Sequence, residues 1–500
     1  MSRQTTRAEA AYRGEIRPAP GSTSVKPTYR PEPRAGGSGD ALAIDQRESM
    51  VTGGARDRLG WPRFGTTLGV VFGVLASLAP GLLPRTPSAQ GILTALLVLI
   101  GLSVVGLGRV ALRRMGFERG TVRERWRMPA VLAAVPVLAA AVAWAQHWQN
   151  RLRDAMDVSP VGPLYWVQWA MWSTAIVAAV VGCCLGIRWV VRRLGRLRSL
   201  LALVALAVTA QFAVVPTVVD WRKASYAAAN AYVDPTLVQP VSPNRSGSPV
   251  SAAGWSSLGS QGRKFVSGSP ARGVRVYVGL NSAPDLNARV ALAIRELERS
   301  GGLERANLVV TVPTGSGWID GEAATGLDQR FGGDVALVGL QYSDAPSWVT
   351  FVFGRTAAEE SARALFTAVE QRISTLPHPP KLYLYGQSLG ALGGNSIFAT
   401  DAEQDRRTCA VLWAGPPAND VHRGGATILA NASDPVVHWS PSLLWSPPNL
   451  TGTRPDAPVP QWLPVLSFLQ TSADLLAALD APSGHGHRYG TDQGNAMGSC

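Results

Sequence analysis

The residues best suited to chemistry in this sequence lie in a Gly-x-Ser-x-Gly pattern, where Ser388 stands between Gly386 and Gly390. An apolar stretch typical of a buried strand, residues 381–385, precedes the pattern, and small helix-forming residues follow it. A sharp strand-to-helix turn of this kind has strained backbone angles and close packing, so it needs glycine on both sides of the serine. Because the bare pattern arises easily by chance, a serine of an ordinary turn is the alternative, and only the context favours a nucleophile.

A nucleophilic serine would need an acid and a histidine, because its hydroxyl is weakly reactive until an oriented imidazole accepts its proton. In one large class of serine enzymes these residues follow the chain order serine, acid, histidine, and the acid lies in a loop after a strand. Asp434 fits the acid, because it follows the apolar run 426–431 and precedes Pro435. An Asp-Pro turn without chemistry is the alternative.

The stretch "SGHGHRYG" supplies the base, since it follows the acid in the chain. The remaining histidines are less suitable, because they lie before the serine, before the acid or close behind it: His147, His378, His422 and His438. His485 is preferred, because Gly484 and Gly486 flank it and their missing side chains would let an imidazole approach the serine. His487 is the second candidate for the base.

An oxyanion formed by attack at a carbonyl would need backbone N–H donors. The residue after the nucleophile, Leu389, supplies one donor in enzymes with this turn, and a loop after an earlier strand supplies another. The apolar run 307–312 leads into Gly315, Ser316 and Gly317, whose glycines would let the backbone approach a substrate closely. We predict these four residues as the oxyanion site, with an ordinary glycine turn as the alternative for the loop.

Neither a cofactor nor a metal is expected. The sequence has no phosphate-binding loop, no dinucleotide fingerprint and no metal-ligand spacing. Of the four cysteines, Cys183 and Cys184 are adjacent in an apolar run, which gives no disulfide framework. A bridge between Cys409 and Cys500 stays open.

The elements that must position these residues alternate between strands and helices over residues 273–490. Short apolar runs predict six strands buried on both faces, at 274–280, 307–312, 334–340, 381–385, 409–415 and 426–431. Apolar residues at helical spacing fill the intervals between several of these runs. Such alternation predicts a doubly wound parallel sheet.

The N-terminal part is much more apolar and predicts an all-α membrane bundle. Five runs have the length of membrane spans, at about 64–84, 91–112, 128–148, 165–187 and 200–219. Buried core helices of a soluble protein are the alternative, but five such runs in succession are typical of membranes. We place the transmembrane domain at 61–220 and predict the lipid bilayer as a partner; the sequence leaves the oligomeric state open.

The positive charge of the chain is concentrated beside these spans. The net charge is +13, and the first 220 residues hold 26 Lys and Arg against 12 Asp and Glu. The arginines lie between apolar runs and not on one polar face with aromatics, so no nucleic-acid partner is expected. They concentrate before the first span and in alternate loops, which predicts a cytoplasmic N-terminus in the cell membrane and an extracytoplasmic C-terminal domain.

The remaining segments are polar. Residues 1–60 are rich in Arg, Gly, Pro and Ser and predict a disordered cytoplasmic tail. Residues 221–272 predict a polar connector between the two main parts. Residues 491–500 are too polar for a packed final helix and predict a flexible tail.

Several longer stretches resemble a known family when they are taken together. They are "GWSSLGSQGRKFVSG", "ARVALAIRELERSGGLERA", "VPTGSGWID", "GGDVALVGLQYSDAPSW", "KLYLYGQSLGALGG", "NASDPVVHWSPSLLW" and "GHGHRYG". The chain, over about 64–490, is similar to bacterial multi-spanning membrane proteins with a C-terminal α/β-hydrolase domain, known by domain name and not by activity. The resemblance implies this two-part architecture and a serine hydrolase, but no substrate. The chain departs from the general hydrolase plan in having no clear strand between Asp434 and the histidines.

The leading hypothesis is a membrane-anchored esterase or lipase that acts on an ester or lipid-like substrate at the cell envelope. An acyltransferase is a close alternative, because an alcohol can replace water as the acceptor of the acyl group. A non-enzymatic transport or envelope-assembly protein with a binding-only hydrolase-like domain is the alternative of another class. The spans favour this last alternative by their number but oppose it by lacking interior Asp, Glu or Lys.

Overall fold

The computed structural model describes residues 62–116, 126–268, 272–490 and 492–500. The tail predicted for residues 1–60 lies outside these ranges. Residues Pro62–Cys500 form one packing unit, so the helical part and the α/β part can be described together.

The N-terminal part is a set of long apolar helices. They are α1 (Phe64–Ser77), α2 (Pro87–Arg114), α3 (Arg127–Ala155), α4 (Pro163–Leu194), α5 (Arg196–Thr209) and α6 (Val215–Ala231). A π-helical turn, Ala210–Val214, joins α5 and α6 into one run. Four helical segments are long and apolar enough to cross a membrane, namely α2, α3, α4 and the combined run Arg196–Ala231. These four correspond to the second to fifth predicted spans.

The first predicted span, residues 64–84, is helical only as far as Ser77. Helix α1 has 14 residues, so it is about 21 Å long and falls short of a bilayer core of about 30 Å. The helix stops because Pro80 would clash with the carbonyl of Ala76 if the next turn were formed. The predicted boundary at residue 84 is therefore too late.

Helices α1 and α2 pack closely through small residues. A Cβ atom on Gly73 would lie 2.5 Å from the Cα atom of Val98, and one on Gly69 would lie 2.9 Å from the carbonyl oxygen of Gly101. Only glycine permits such an approach, which is a common device for joining apolar helices. The run Arg196–Ala231, in contrast, leaves its apolar side chains exposed, as a lipid-facing surface would.

The C-terminal part is built on a six-stranded sheet, as predicted. Its strands are β1 (Val274–Val278), β2 (Asn307–Val312), β3 (Val335–Leu340), β4 (Lys381–Gln387), β5 (Ala410–Ala414) and β6 (Ala426–Leu429). All pairings are parallel, and the strand order is β1-β3-β2-β4-β5-β6. Each strand begins within one residue of its predicted start, because a continuous apolar run indicates a strand that is buried on both faces.

Helices cover both faces of the sheet. They are α7 (Gly259–Ser267), α8 (Leu286–Arg299), α9 (Gly321–Arg330), α10 (Ser347–Phe353), α11 (Arg355–Ile373), α12 (Leu389–Asn395), α13 (Asp401–Arg407), α14 (Pro435–His438), α15 (Leu466–Asp474) and α16 (Asp492–Asn495). Short 3-10 turns lie at Trp255–Leu258, Gly302–Glu304, Pro417–Asn419, Pro441–Leu444 and Leu475–Ala477. No strand lies between Asp434 and the histidines 485 and 487, all of which fall within the described range 272–490.

The predicted connector, 221–272, contributes to the core of the α/β part. The Ser246 N–H donates to the Arg275 carbonyl at 3.0 Å, which extends the edge of β1. Leu258 and Phe265 are buried in the main core. The buried Arg263 donates to the Ala231 carbonyl at 3.0 Å, which stabilises the carboxyl end of α6. The segment that only connects the two parts is therefore shorter than the predicted range 221–272.

The last residues, predicted as a flexible tail, pack against the α/β part. Gln493 and Met497 are buried, and Gln493 Nε2 donates to Gln387 Oε1 at 3.1 Å. Cys409 and Cys500 form a disulfide with Cα atoms 5.1 Å apart, which decides the pairing that the sequence left open. The tail packs despite its polarity because the Nε2 group of the buried Gln493 finds a hydrogen-bond partner at the end of β4.

The carboxyl edge of the sheet is attached to the helical part at two places. The Arg85 guanidinium, in the α1–α2 loop, forms an ion pair with Asp474 on α15 at 2.8 Å. Gln341, at the end of β3, donates to Asn230 near the end of α6 at 3.0 Å. The α1–α2 loop, the carboxyl end of α3 and that of α6 thus meet the α/β part, and the arginine-bearing ends at Arg113–Arg114 and Arg192–Arg193 lie away from it.

Candidate active site

Ser388 occupies a strained turn between β4 and α12. Its φ of 55° is in the left-handed region, and the side chain is partly exposed. A Cβ atom on Gly386 would lie 2.5 Å from the carbonyl oxygen of Gly390, and one on Gly390 would lie 2.2 Å from that of Val312. Both glycines are therefore required by the close approach of strand and helix. The Ser388 N–H donates to the Ala414 carbonyl at 2.9 Å, which fixes the turn to the end of β5.

Asp434 is fully buried in the turn after β6, where it begins helix α14. Its Oδ1 atom accepts from the Val436 N–H at 2.8 Å, and its Oδ2 atom accepts from His487 Nδ1 at 2.7 Å. The Tyr489 hydroxyl also donates to Oδ2. Burial alone would raise the pKa of Asp434, but the His487 ring and these hydrogen bonds outweigh it and hold the pKa below its usual value.

His487 is the histidine that contacts Asp434. Its ring is 5% exposed, and its Nε2 atom is buried without a hydrogen-bond partner in the described part of the chain. The ring lies against Gly415, where a Cβ atom would be 2.6 Å from its Cε1 atom. Gly415 follows the residue that accepts the Ser388 N–H. The strained serine turn and the acid–histidine pair therefore meet at the end of β5, with one imidazole nitrogen unused.

His485 contacts a different carboxylate. Its Nδ1 atom lies 3.2 Å from Asp456 Oδ2, and the side chain is 21% exposed. Asp456 also accepts from the backbone N–H of Ser433 at 2.9 Å, and the Ser433 hydroxyl accepts from the Gly486 N–H at 2.8 Å. This network supports the loop that carries both histidines. The preferred base of the sequence prediction is thus placed beside Asp456, and the second candidate is placed beside Asp434.

Family comparisons cover nearly all of the described chain. A model described as Alpha/beta-hydrolase family matches residues 274–427 and 421–498. A companion model, described as Alpha/beta-hydrolase family N-terminus, matches residues 78–270. The chain belongs to this alpha/beta-hydrolase family. Comparison with curated proteins and with solved structures gave no match.

The candidate site includes a further residue that sequence reasoning missed. Tyr489 is buried, and its hydroxyl donates to the same oxygen of Asp434 that binds His487. Burial and the neighbouring Asp434 raise the pKa of Tyr489 well above its usual value, so the phenol remains a donor. The available signal was the spacing between His487 and Tyr489, because residues two positions apart in an extended segment face the same side.

The loop after β2 lies beside the serine turn of the hydrolase domain, because Gly390 packs against the Val312 carbonyl. The Gly315 N–H donates to the Ser347 hydroxyl at 3.2 Å, and the Gly317 N–H donates to the Thr314 carbonyl at 2.9 Å. The Ser316 carbonyl accepts from Gln341 Nε2 at 3.1 Å. The predicted loop residues are therefore close to the turn, but both glycine N–H groups already have partners.

Leu389 is the first residue of α12, where the N–H groups of the first helical turn have no acceptor within the helix. Its side chain is 1% exposed and packs in a small apolar cluster with Tyr342 and Ala358. The buried side chain fixes the start of the helix directly after Ser388. The amide of Leu389 is thereby held at the turn.

A cleft of about 240 Å³ lies where α6, α7 and the loop after β2 meet. Its lining includes the polar residues Asn230, Lys264, Ser316 and Asp344. Ser316 is the one predicted site residue in this lining, and Ser388 does not belong to it. The cleft therefore adjoins the candidate site through the loop and does not contain the serine.

Proposed function

We propose that this protein is a membrane-anchored serine hydrolase of ester substrates, with Ser388 as nucleophile, His487 as general base and Asp434 as the orienting acid. One observation carries the proposal. A buried carboxylate binds one nitrogen of a buried imidazole, and the other nitrogen is unused beside a strained Gly-x-Ser-x-Gly turn. This is the arrangement that activates a serine hydroxyl.

The roles follow from the geometry of the pair. Asp434 accepts from Nδ1 of His487, so Nε2 of the neutral ring carries the lone pair that takes the Ser388 proton. The serine oxygen then bonds the ester carbonyl carbon, the C–O bond to the leaving alcohol breaks, and His487 gives its proton to that alcohol. Water attacks the acyl-enzyme by the same route, which releases the acid and restores Ser388.

Two backbone groups would stabilise the oxyanion. Leu389 supplies the first N–H, at the beginning of α12. Gly315 is the better second donor than Gly317, because its N–H bonds a side-chain hydroxyl that can rotate away, whereas the N–H of Gly317 bonds a backbone carbonyl within the loop. Ser316 would then serve to hold the loop through Gln341.

His487 is preferred to His485 as the base because only the former contacts Asp434. Gly484 and Gly486 both have positive φ, 91° and 54°, so the loop turns between the two histidines. This turn directs His485 toward Asp456 and leaves His487 facing inward. The flanking glycines, which favoured His485 in the sequence, act here by their backbone conformation.

Labelling with a fluorophosphonate probe tests the proposal, because this reagent phosphonylates serines that a base activates. We expect labelling of the full-length wild type and none of Ser388→Ala. Ser396→Ala is a matched control, since Ser396 lies just after the same helix and its hydroxyl donates to the Gly393 carbonyl. A folded wild-type preparation that is never labelled would refute the proposal. Release of a free acid, and not transfer to an added alcohol, would distinguish hydrolysis from acyl transfer.

We also propose that the hydrolase domain lies outside the cytoplasm. The helix ends that meet this domain carry fewer arginines than the opposite ends, as the positive-inside rule requires of the outer side. Helix α1 runs antiparallel to α2, since Thr66 binds Arg109 at 2.9 Å and Ser77 binds Thr94 at 2.8 Å. Although α1 is shorter than the bilayer core, local thinning of the bilayer would let it act as the fifth crossing element. The disulfide Cys409–Cys500 agrees with an oxidising compartment.

Reporter fusions test this orientation. Fusions after residue 225 should be active only with a reporter that works outside the cytoplasm, and fusions within residues 113–127 only with a cytoplasmic reporter. Each fusion site serves as the control for the other, because three membrane crossings separate the two sites in this topology. Cytoplasmic activity of a fusion after residue 225 would place the hydrolase domain on the other side.

A further inference from the structure

The hydrolase site opens toward the membrane helices. In a parallel sheet the functional loops follow the carboxyl ends of the strands, and here the same edge carries both attachments to the helical part. Asn230 at the end of α6 binds Gln341, and Arg85 binds Asp474. Ser388 follows β4, between the strands that lead to these two attachments. Its substrate must therefore approach from the side on which the bilayer-spanning helices end.

Apolar side chains are exposed on this edge, next to the serine turn. We call them the apolar rim, and they are Trp348, Val352, Phe353, Leu463, Val465 and Leu476, with exposures between 48% and 91%. Exposed apolar groups of this size and number on one edge are unusual on a domain surrounded by water. Tryptophan and phenylalanine are, in contrast, favourable where protein meets the lipid headgroups and chains.

A row of aromatic contacts connects the two sides of the rim. The Phe351 ring in α10 is 6.1 Å from the Trp439 ring, which is 5.8 Å from the Phe468 ring in α15. Phe351 also packs on the cluster that contains Leu389, the residue after the nucleophile. The rim is therefore continuous with the wall of the site.

The rim also adjoins the ends of the membrane helices, so the bilayer is the partner that would cover it. On α15, Gln470 donates to the carbonyl of Ala76 at the end of α1 at 2.6 Å. Leu476, the most exposed rim residue, lies two positions after Asp474, which binds Arg85. The α15 side of the rim therefore begins at the level where α1 and α2 leave the bilayer.

We infer that the apolar rim inserts into the bilayer and that the substrate is a lipid with a long-chain acyl ester. This lipid enters the site directly from the membrane. This inference rests on the proposed serine hydrolase and names its substrate class. The acyl chain lies along the rim while the ester carbonyl reaches Ser388. Cleavage then follows the steps already given, with the acyl group first on the serine oxygen and then on water.

The inference predicts that the double variant Trp348→Ser/Phe353→Ser selectively loses turnover of a membrane-embedded ester. The full-length protein is reconstituted in phosphatidylcholine–phosphatidylglycerol vesicles, and turnover of an embedded oleoyl ester is divided by turnover of a water-soluble butyrate ester. Because both substitutions remove an aromatic group that would be buried in the bilayer, we expect this ratio to fall at least about tenfold. Val241→Ser/Val250→Ser is the control, since both valines are more than half exposed in the connector, away from the carboxyl edge, and the ratio should not change.

An equal fall of both activities, or an unchanged ratio, would overturn the inference. Failure of the proposed hydrolase itself is distinguishable, because the wild type would then escape fluorophosphonate labelling.

A second measurement does not need activity. In a Cys183→Ser/Cys184→Ser background, which removes the free thiols of the described residues, Phe353→Cys is labelled with an environment-sensitive dye. Lipids with nitroxide-bearing acyl chains should quench this dye and should not quench the same dye on Val241→Cys. Equal quenching at both positions would contradict insertion of the rim.

Discussion

Replacing His487 with alanine should lower ester turnover by about four orders of magnitude or more, whereas His485→Ala should lose no more than about tenfold. The difference follows from the two contacts. His487 binds the buried Asp434 at 2.7 Å and has a free Nε2 atom, while His485 binds Asp456 and is partly exposed. Removing the first abolishes proton transfer, and removing the second loosens a loop. Steady-state hydrolysis of a soluble ester by the purified full-length variants measures both.

His378→Ala is the control for general effects of losing an imidazole, because His378 is exposed and binds only the neighbouring carbonyl of Pro377 among the described residues. Asp434→Asn provides a second test of the assignment. It should strongly reduce turnover, since an amide cannot hold the ring in the same tautomer. If His485→Ala were the inactive variant and His487→Ala kept wild-type turnover, Asp456 and His485 would replace the pair proposed here.

Replacing Arg85 with glutamine should destabilise the hydrolase domain by about 3–5 kcal/mol, because the change leaves a fully buried carboxylate without its cation. Asp474 is 0% exposed in its side chain, and its Oδ2 atom also accepts from the Leu82 N–H at 2.7 Å. Burial raises the pKa of Asp474 and Arg85 opposes this effect, so the variant should partly recover by protonating Asp474. Thermal unfolding of the reconstituted protein, followed by tryptophan fluorescence, measures the loss.

Activity should fall together with stability in Arg85→Gln. The His487 N–H donates to the carbonyl of Ala478 at 3.1 Å, four residues after Asp474, and Leu83 contacts the same loop near Gly486. Loss of the ion pair should therefore loosen the segment that carries the proposed base.

Two comparisons make the Arg85 prediction specific. Arg372→Gln breaks an exposed pair with Glu298 and should cost at most about 1 kcal/mol. The double variant Arg85→Gln/Asp474→Asn removes both buried charges and should be more stable than Arg85→Gln alone. An unchanged unfolding temperature in Arg85→Gln would show that the contact between α15 and the helical part contributes little.

The sheet and the serine turn could be predicted from sequence because their signals are local. Each strand is a continuous apolar run, and the turn at Ser388 requires glycine at two fixed positions for steric reasons. Both properties can be recognised within ten or so residues. The six strands and the family were accordingly identified without coordinates.

The choice between the two histidines could not be made in this way. It depends on the backbone of Gly484 and Gly486 and on which carboxylate, Asp434 or Asp456, lies in front of each ring. Those carboxylates are separated from the histidines by an irregular segment, so no periodic pattern reports the pairing. The role of Tyr489 was hidden for the same reason.

Polar composition misled the predictions at both boundaries of the α/β part. The connector packs through Leu258 and Phe265, and the C-terminal residues pack through Gln493 and Met497. Burial of these segments depends on partners far away in the chain. Composition measures the average preference of a segment and not the few side chains that find such partners.

The disulfide between Cys409 and Cys500 also acts on the chain before it folds. Its cysteines are 91 positions apart, and the segment between them contains both Asp434 and His487. Closing a loop of this length removes conformations from the unfolded chain, which in the chain-entropy description stabilises the folded state by roughly 4–5 kcal/mol. The proposed acid and base therefore lie on one covalent ring, and reduction of its disulfide would enlarge the set of conformations from which both must be recovered.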